Sequence, residues 1–330
     1  MTHKNPFLKR ALNRLLIGVA CCAVAFGAAA QEWPARPIRI VSPYAPGGVG
    51  DTIMRIIAGG VEARLGQRFL IDNRSGAAGN IGASAVVHAA PDGYTFLFAP
   101  TANYAVNQHL FKNLGFDPLR QLDPVIAVAQ APLIAITGKL SGATTLRELG
   151  AKSKAPGAKY SYGSPGAGSP TQLAGASFVL ANGGEIPHVA YRGTPPLVQA
   201  LLANDVQLAF PTLSPVLGNL QAGNLVALAV MDTKRLPELP NVPTALEAGY
   251  PGLLFSNWWV LAAPKGTDSK VTARLAAEIK TALTDPTVRA KLAELGHQPM
   301  DLALQDAADF IKAESARYKS LIDRTGIKLD

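Results

Sequence analysis

The apolar run Ile38, Ile40, Val41 leads straight into Ser42-Pro43-Tyr44-Ala45-Pro46-Gly47-Gly48-Val49-Gly50-Asp51, and behind it Ile53, Ile56, Ile57, Val61 and Leu65 recur at helical spacing. That order confines the segment to a strand, a turn of small residues and a helix apolar on one face, with Gly66 as its C-cap. Glycines let the main chain of such a turn come close to a ligand. The first turn of the helix adds N–H groups without intrahelical partners, at the positive end of the helix dipole. Its natural guest is an anion such as a carboxylate, although an ordinary tight connection has the same composition. Neither G-x-G-x-x-G nor Gly-Lys-Ser/Thr occurs here, so the two common nucleotide loops are absent.

The same arrangement recurs down the chain, which predicts α/β layers. A buried strand at 94–98 delivers Thr101 and Asn103, and a strand at 160–162 runs into Gly163-Ser164-Pro165-Gly166-Ala167-Gly168-Ser169-Pro170. Ser169 has the character of an N-cap with Pro170 at the first helical position. A strand at 188–191 ends at Arg192 and Gly193, and one at 206–210 ends at Pro211 and Thr212. The apolar stretch 125–137 is interrupted by Pro132, which suggests an edge or a crossing between sheets and places a domain boundary there. Capping boxes at Thr145-Leu146-Arg147-Glu148 and Thr244-Ala245-Leu246-Glu247 predict helix starts, and amphipathic helices are expected over 270–283 and 307–323.

The candidate binding residues follow from these strand ends. Backbone donors would come from Gly47, Gly48 and the loop from Ser164 through Gly168 to Ser169. Ser164, Ser169, Thr101 and Thr212 would add hydroxyls, and Asn103 and Gly193 stand in the same loops. Asp51, at a helix start, more naturally ties the loop by accepting backbone N–H groups than touches an acid. Arg192 is either a charged clamp or a solvated strand end. Tyr44, Tyr104, Tyr191 and one of Trp258 and Trp259 would form walls, since neighbours on a strand face opposite ways.

The N-terminus reads as an address. Lys4, Lys9, Arg10 and Arg14 precede a charge-free apolar stretch over 15–30 that ends in Ala28-Ala29-Ala30, the pattern of a signal peptide cut after Ala30. Cleavage removes both cysteines and lowers the formal net charge from +8 to +4. A chain without thiols suits an oxidising compartment, and so modest a positive excess argues against a nucleic-acid partner. The remaining histidines, His88, His109, His188 and His297, show no ligand spacing, so neither metal nor cofactor is expected. No G-x-S-x-G surrounds Ser164 or Ser169, which weakens a serine hydrolase reading.

Taken in order, the opening segment, Gly76-Ala77-Ala78-Gly79-Asn80-Ile81-Gly82, Pro91-Asp92-Gly93-Tyr94-Thr95, His188-Val189-Ala190-Tyr191-Arg192-Gly193 and Val242-Pro243-Thr244 with Glu247-Ala248-Gly249 resemble the Bug family. These are extracytoplasmic solute-binding proteins of tripartite tricarboxylate transporters. Three positions depart from the family pattern: Ala78 stands where glycine is usual, Gln172 where histidine is common, and Val260 where glycine often follows the aromatic pair. The resemblance implies a two-lobed periplasmic-binding fold of the Venus flytrap type II kind. Residues 31–132 and 254–330 would form lobe 1 and residues 133–253 lobe 2, with hinges near Pro132 and 253–256. It also implies a monomer that captures a small organic carboxylate in the periplasm for membrane permease subunits. A sensor subunit for a signalling partner, or a hydrolase, is the alternative.

Overall fold

The computed structural model describes residues 32–329, so the expected signal peptide lies outside the described residues. Runs of β-branched and aromatic side chains form strands that collect into two mixed sheets. The first holds β1 (Ile38–Ser42), β2 (Phe69–Asn73), β3 (Thr95–Pro100), β4 (Leu122–Pro132), β10 (Ser256–Pro264) and β11 (Gln298–Pro299) in the order β11-β4-β10-β3-β1-β2. The second holds β5 (Ile134–Gly138), β6 (Tyr162–Ser164), β7 (His188–Ala190), β8 (Leu208–Ala209) and β9 (Leu225–Val230) in the order β7-β6-β8-β5-β9. Strands β1, β2 and β3 pair in parallel, as do β6, β7 and β8, and both sets point their carboxyl ends at glycine-rich loops. The result is two α/β lobes.

The apolar stretch 125–137 is two strands in different sheets, and only Leu133 stands between them. At this crossing Leu133 N–H donates to the Phe255 carbonyl, Phe255 N–H to Met231 and Met231 N–H to Leu133, each at 2.9 Å. The two passages between sheets are thus laced together by backbone bonds, while the Leu133, Met231 and Phe255 side chains are buried in the core. An apolar cluster on one face of the first sheet continues across the boundary, joining Val41, Leu97, Trp258 and Val260 to Tyr162, Phe178 and Phe210. The opposite face of that sheet buries Ile38, Ile40, Phe98 and Trp259 under the helix α1 (Val49–Leu65) and the helix Ser269–Thr284. The alternation of β10, with Trp258 on one face and Trp259 on the other, follows from the period of two.

One local expectation is corrected, and one helix was not anticipated. The Thr244 box makes its reciprocal bonds, Thr244 N–H to Glu247 Oε2 at 2.7 Å and Glu247 N–H to Thr244 Oγ1 at 3.2 Å, yet they close a turn, and no helix follows. A helix at Pro286–Glu294 was not expected, because only Val288 and Leu292 on it are buried and proline reads as a breaker. Here the proline sits in the first turn, capped by the Asp285 carboxylate, where a missing N–H costs nothing.

Candidate functional site

A cleft of about 590 Å³ lies between the lobes. Three helix N-termini reach it. The first is α1, whose N-cap Gly48 leaves the start of the helix without a side-chain cap, and Gly48, Val49 and Gly50 all line the cleft. The second is α2 (Pro170–Asn182). Ser169 Oγ accepts the Gln172 N–H at 3.2 Å and Pro170 has none, so Thr171 carries the remaining first-turn donor. The third is α3 (Thr194–Ala203), where Pro195 and Pro196 remove two donors and Thr194 keeps one. Among the described residues, no Asp, Glu, Lys or Arg lines the cleft. A site with backbone dipoles of one sign and no ionised side chain favours an anion without fixing it by a salt bridge.

Of the residues expected to bind, Tyr44, Gly48, Gly168, Ser169 and Thr212 line the cleft. The others stand around it. Gly47, at φ +75°, donates its N–H to Asp51 Oδ2 at 3.1 Å, and Asp51 also takes both Arg55 nitrogens, at 2.9 and 3.0 Å. Thr101 is buried and exchanges bonds with the main chain of Trp258, accepting its N–H at 2.9 Å. Asn103 is buried, with Oδ1 3.4 Å from the Tyr44 hydroxyl and Nδ2 3.3 Å from the Ala78 carbonyl. Arg192 is exposed and outside the lining, and Gly193, at φ +99°, donates to the Pro165 carbonyl and starts α3.

Ser164 is fully buried. Its hydroxyl donates to the Gly166 carbonyl at 2.8 Å, so towards His188 Nε2, also at 2.8 Å, it can only accept. A serine whose one proton is already placed, and whose histidine donates to it, has no base to activate it.

The departures from the family pattern acquire physical content. Ala78 adopts φ +54°, a conformation glycine takes freely, and its carbonyl is held by Asn103 and Asn107 side chains. Gln172 is buried and its Oε1 accepts the Gly168 N–H at 2.6 Å, stiffening the second loop. Of the aromatic pair, Trp259 lines the cleft, stacked on Phe98 with centroids 5.5 Å apart and edge-on to Tyr44. His297, considered above only as a metal ligand, also lines it. It follows Gly296 in a short connection into β11, where neither periodicity nor motif marks it.

Arg55 hydrogen bonds, followed by the Gly47 N–H, hold the Asp51 carboxyl below its usual range against the opposing effect of burial. A depressed folded pKa adds stability that is complete above the unfolded value and lost as pH falls through the folded one. Asp51→Asn is therefore expected to cost about 1–3 kcal/mol at pH 7. The difference from wild type should hold steady down to about pH 5 and shrink below about pH 4. Denaturant titrations at a series of pH values check this, and a difference independent of pH would mean the charge is not involved.

Residues 53–327 match the family described as the tripartite tricarboxylate transporter family receptor. BugT of Bordetella pertussis is 33% identical over 323 residues, covering 98% of this chain and 99% of that protein. Among solved structures, one described as a periplasmic transporter has a TM-score of 0.79 at 34% identity, covering 90% of this chain and 100% of that one. Rpa4515 of R. palustris, solved with adipate, has a TM-score of 0.80 at 33% identity, covering 90% and 99%. MatC of Rhodopseudomonas palustris, solved with malate, has a TM-score of 0.74 at 28% identity, covering 88% and 100%.

Proposed function

The chain belongs to the tripartite tricarboxylate transporter receptor family, whose members are non-enzymatic solute-binding receptors, and from that premise we propose that its cleft captures a small organic carboxylate in the periplasm for the permease subunits of a tripartite tricarboxylate-type transporter. The observation that carries this reading is the convergence of three helix N-termini from both lobes on one cleft whose lining has no ionised side chain. Each charge-assisted bond from a backbone N–H to a carboxylate is worth about 1.5–3 kcal/mol, so three of them at the upper end approach the roughly 8 kcal/mol of micromolar binding without a buried arginine. Adipate and malate in the related structures favour a dicarboxylate. We assign the described residues 32–132 and 254–329 to lobe 1 and 133–253 to lobe 2, closing about the Leu133–Phe255 crossing in a single-chain receptor.

A thermal-shift screen of the mature chain against mono-, di- and tricarboxylates, hydroxy acids, amino acids and aromatic acids tests the proposal. An acid at one hundred times its Kd is expected to stabilise the fold by roughly 2.7 kcal/mol. Stabilisation by amino acids alone would sink it, because no carboxylate in the lining is placed to receive an ammonium group.

A further inference from the structure

The loop between β6 and α2 carries donors of lobe 2, and it is braced as one piece. The Gly166 carbonyl accepts from Ser164 Oγ at 2.8 Å, from Ser169 Oγ at 2.7 Å and from the Ser169 N–H at 3.3 Å, while Gln172 Oε1 accepts the Gly168 N–H at 2.6 Å. Bonds that are satisfied in this way stiffen the segment that makes them. Whatever holds one residue of the loop therefore also holds the first turn of α2, with its Thr171 donor.

Gly168 is where that loop meets the other lobe. A Cβ at Gly168 would lie 2.5 Å from Leu329 Cδ1 and 3.0 Å from Leu110 Cδ1, so the face on which a side chain would stand is covered by two leucine methyl groups. Both leucines are anchored in lobe 1. Leu110 is buried and ends the short helix Asn107–Leu110. Leu329 follows the helix Gln305–Thr325; its N–H donates to the Leu110 carbonyl at 3.2 Å, and it pairs with Phe111 in a parallel bridge. Leu329 and Gly168 also both line the cleft, so this contact between lobes is made at the cleft itself. Parting the lobes would expose the apolar surface that the two residues cover for each other, which favours the closed arrangement. Glycine permits the close approach, since any larger residue would meet the leucines.

We infer that Leu329 is a positioning residue for binding: by covering Gly168 it seats the donor loop of lobe 2 against lobe 1 and so sets the fraction of the protein whose cleft is closed enough to hold an acid. The inference rests on the carboxylate reading of the cleft. It adds a residue that presents no polar group to the ligand and acts through the loop. Apparent affinity falls in proportion as the binding-competent fraction falls, so a defect at Leu329 is read in binding before it is read in the fold.

Calorimetry and stopped-flow release measurements on the mature protein with succinate, malate, adipate and citrate test this. For whichever of these acids binds tightest, Leu329→Ala is expected to weaken binding about tenfold, chiefly through faster release. Leu329→Met, which refills the contact, should stay within about twofold of wild type. The denaturant midpoint of the ligand-free protein should move little for either variant, because Leu329 is only half-buried. Gly168→Ala should weaken binding about tenfold or more in the wild-type background but no more than about threefold in the Leu329→Ala background, and the strain of a side chain at φ +76° is common to both and cancels in the comparison. If Gly168→Ala does not fold, the two Leu329 variants decide alone. Unchanged affinity and release in Leu329→Ala, a loss that Leu329→Met shares in full, or an equal effect of Gly168→Ala in both backgrounds overturns the role of Leu329 and leaves carboxylate capture standing. Binding of none of the four acids by the wild type overturns both.

Discussion

Trp258→Ala is expected to lower the unfolding free energy by about 3–5 kcal/mol, the cost of emptying a large aromatic site in a packed core. Trp258 is fully buried, stacked on Tyr104 at 6.2 Å and met edge-on by Phe310 at 5.2 Å. Its Nε1–H reaches Glu314 Oε2 at 3.3 Å, and the same carboxylate pairs with Arg317, so truncation leaves a void beside a partly orphaned acid. Trp259→Ala, which empties a site 4% exposed on the opposite face of the sheet, should cost a comparable amount and, because Trp259 also lines the cleft, should weaken ligand binding as well. Guanidinium denaturation followed by far-UV circular dichroism measures both variants. A loss below about 1.5 kcal/mol for Trp258→Ala would show that the site collapses around the gap. Against a typical net stability of about 5–15 kcal/mol, the expected loss takes a large share of what holds the fold together.

Gly48→Val is expected to weaken acid binding by roughly 30- to 700-fold, equivalent to about 2–4 kcal/mol, through lost access to the first-turn donors of α1. A Cβ at Gly48 would lie 3.1 Å from the Ala45 carbonyl oxygen, so the loop must shift, and the branched side chain would stand over the helix start that lines the cleft. Arg192→Ala, by contrast, should change affinity by no more than about twofold, since Arg192 is exposed and outside the lining. Calorimetry with the tightest-binding acid compares the two. The reverse order of effects would mean that a salt bridge, rather than backbone dipoles, holds the ligand.

Much of the fold was legible because it is encoded locally. The segment from β1 through the turn to α1 is specified by residues a few positions apart, and so are the N-cap at Ser169 and the long helices near the C-terminus. The crossing at Pro132 was legible because a proline cannot donate to a ladder, although Pro124 stands inside β4 opposite Ala262 without ending it. The turn at Thr244 shows the limit of this reasoning, since capping bonds satisfy a turn as well as a helix.

The cleft itself is not a local property. Gly48, Thr171, Thr194 and His297 come together only because two sheets exchange strands at Leu133 and Phe255, and no spacing along the chain records that meeting. The sequence by itself determined the strand ends and helix starts, the neutral character of the loops and the family, all carried by short-range patterns. Tertiary structure alone decided that Trp259 and not Trp258 faces the cleft, that Thr101 is tied to Trp258 and Ser164 to His188, and that a histidine outside every motif lines the cleft. The physical reason is that burial and hydrogen-bond partners depend on which distant segments pack together, and these determine whether a polar group is left for a ligand.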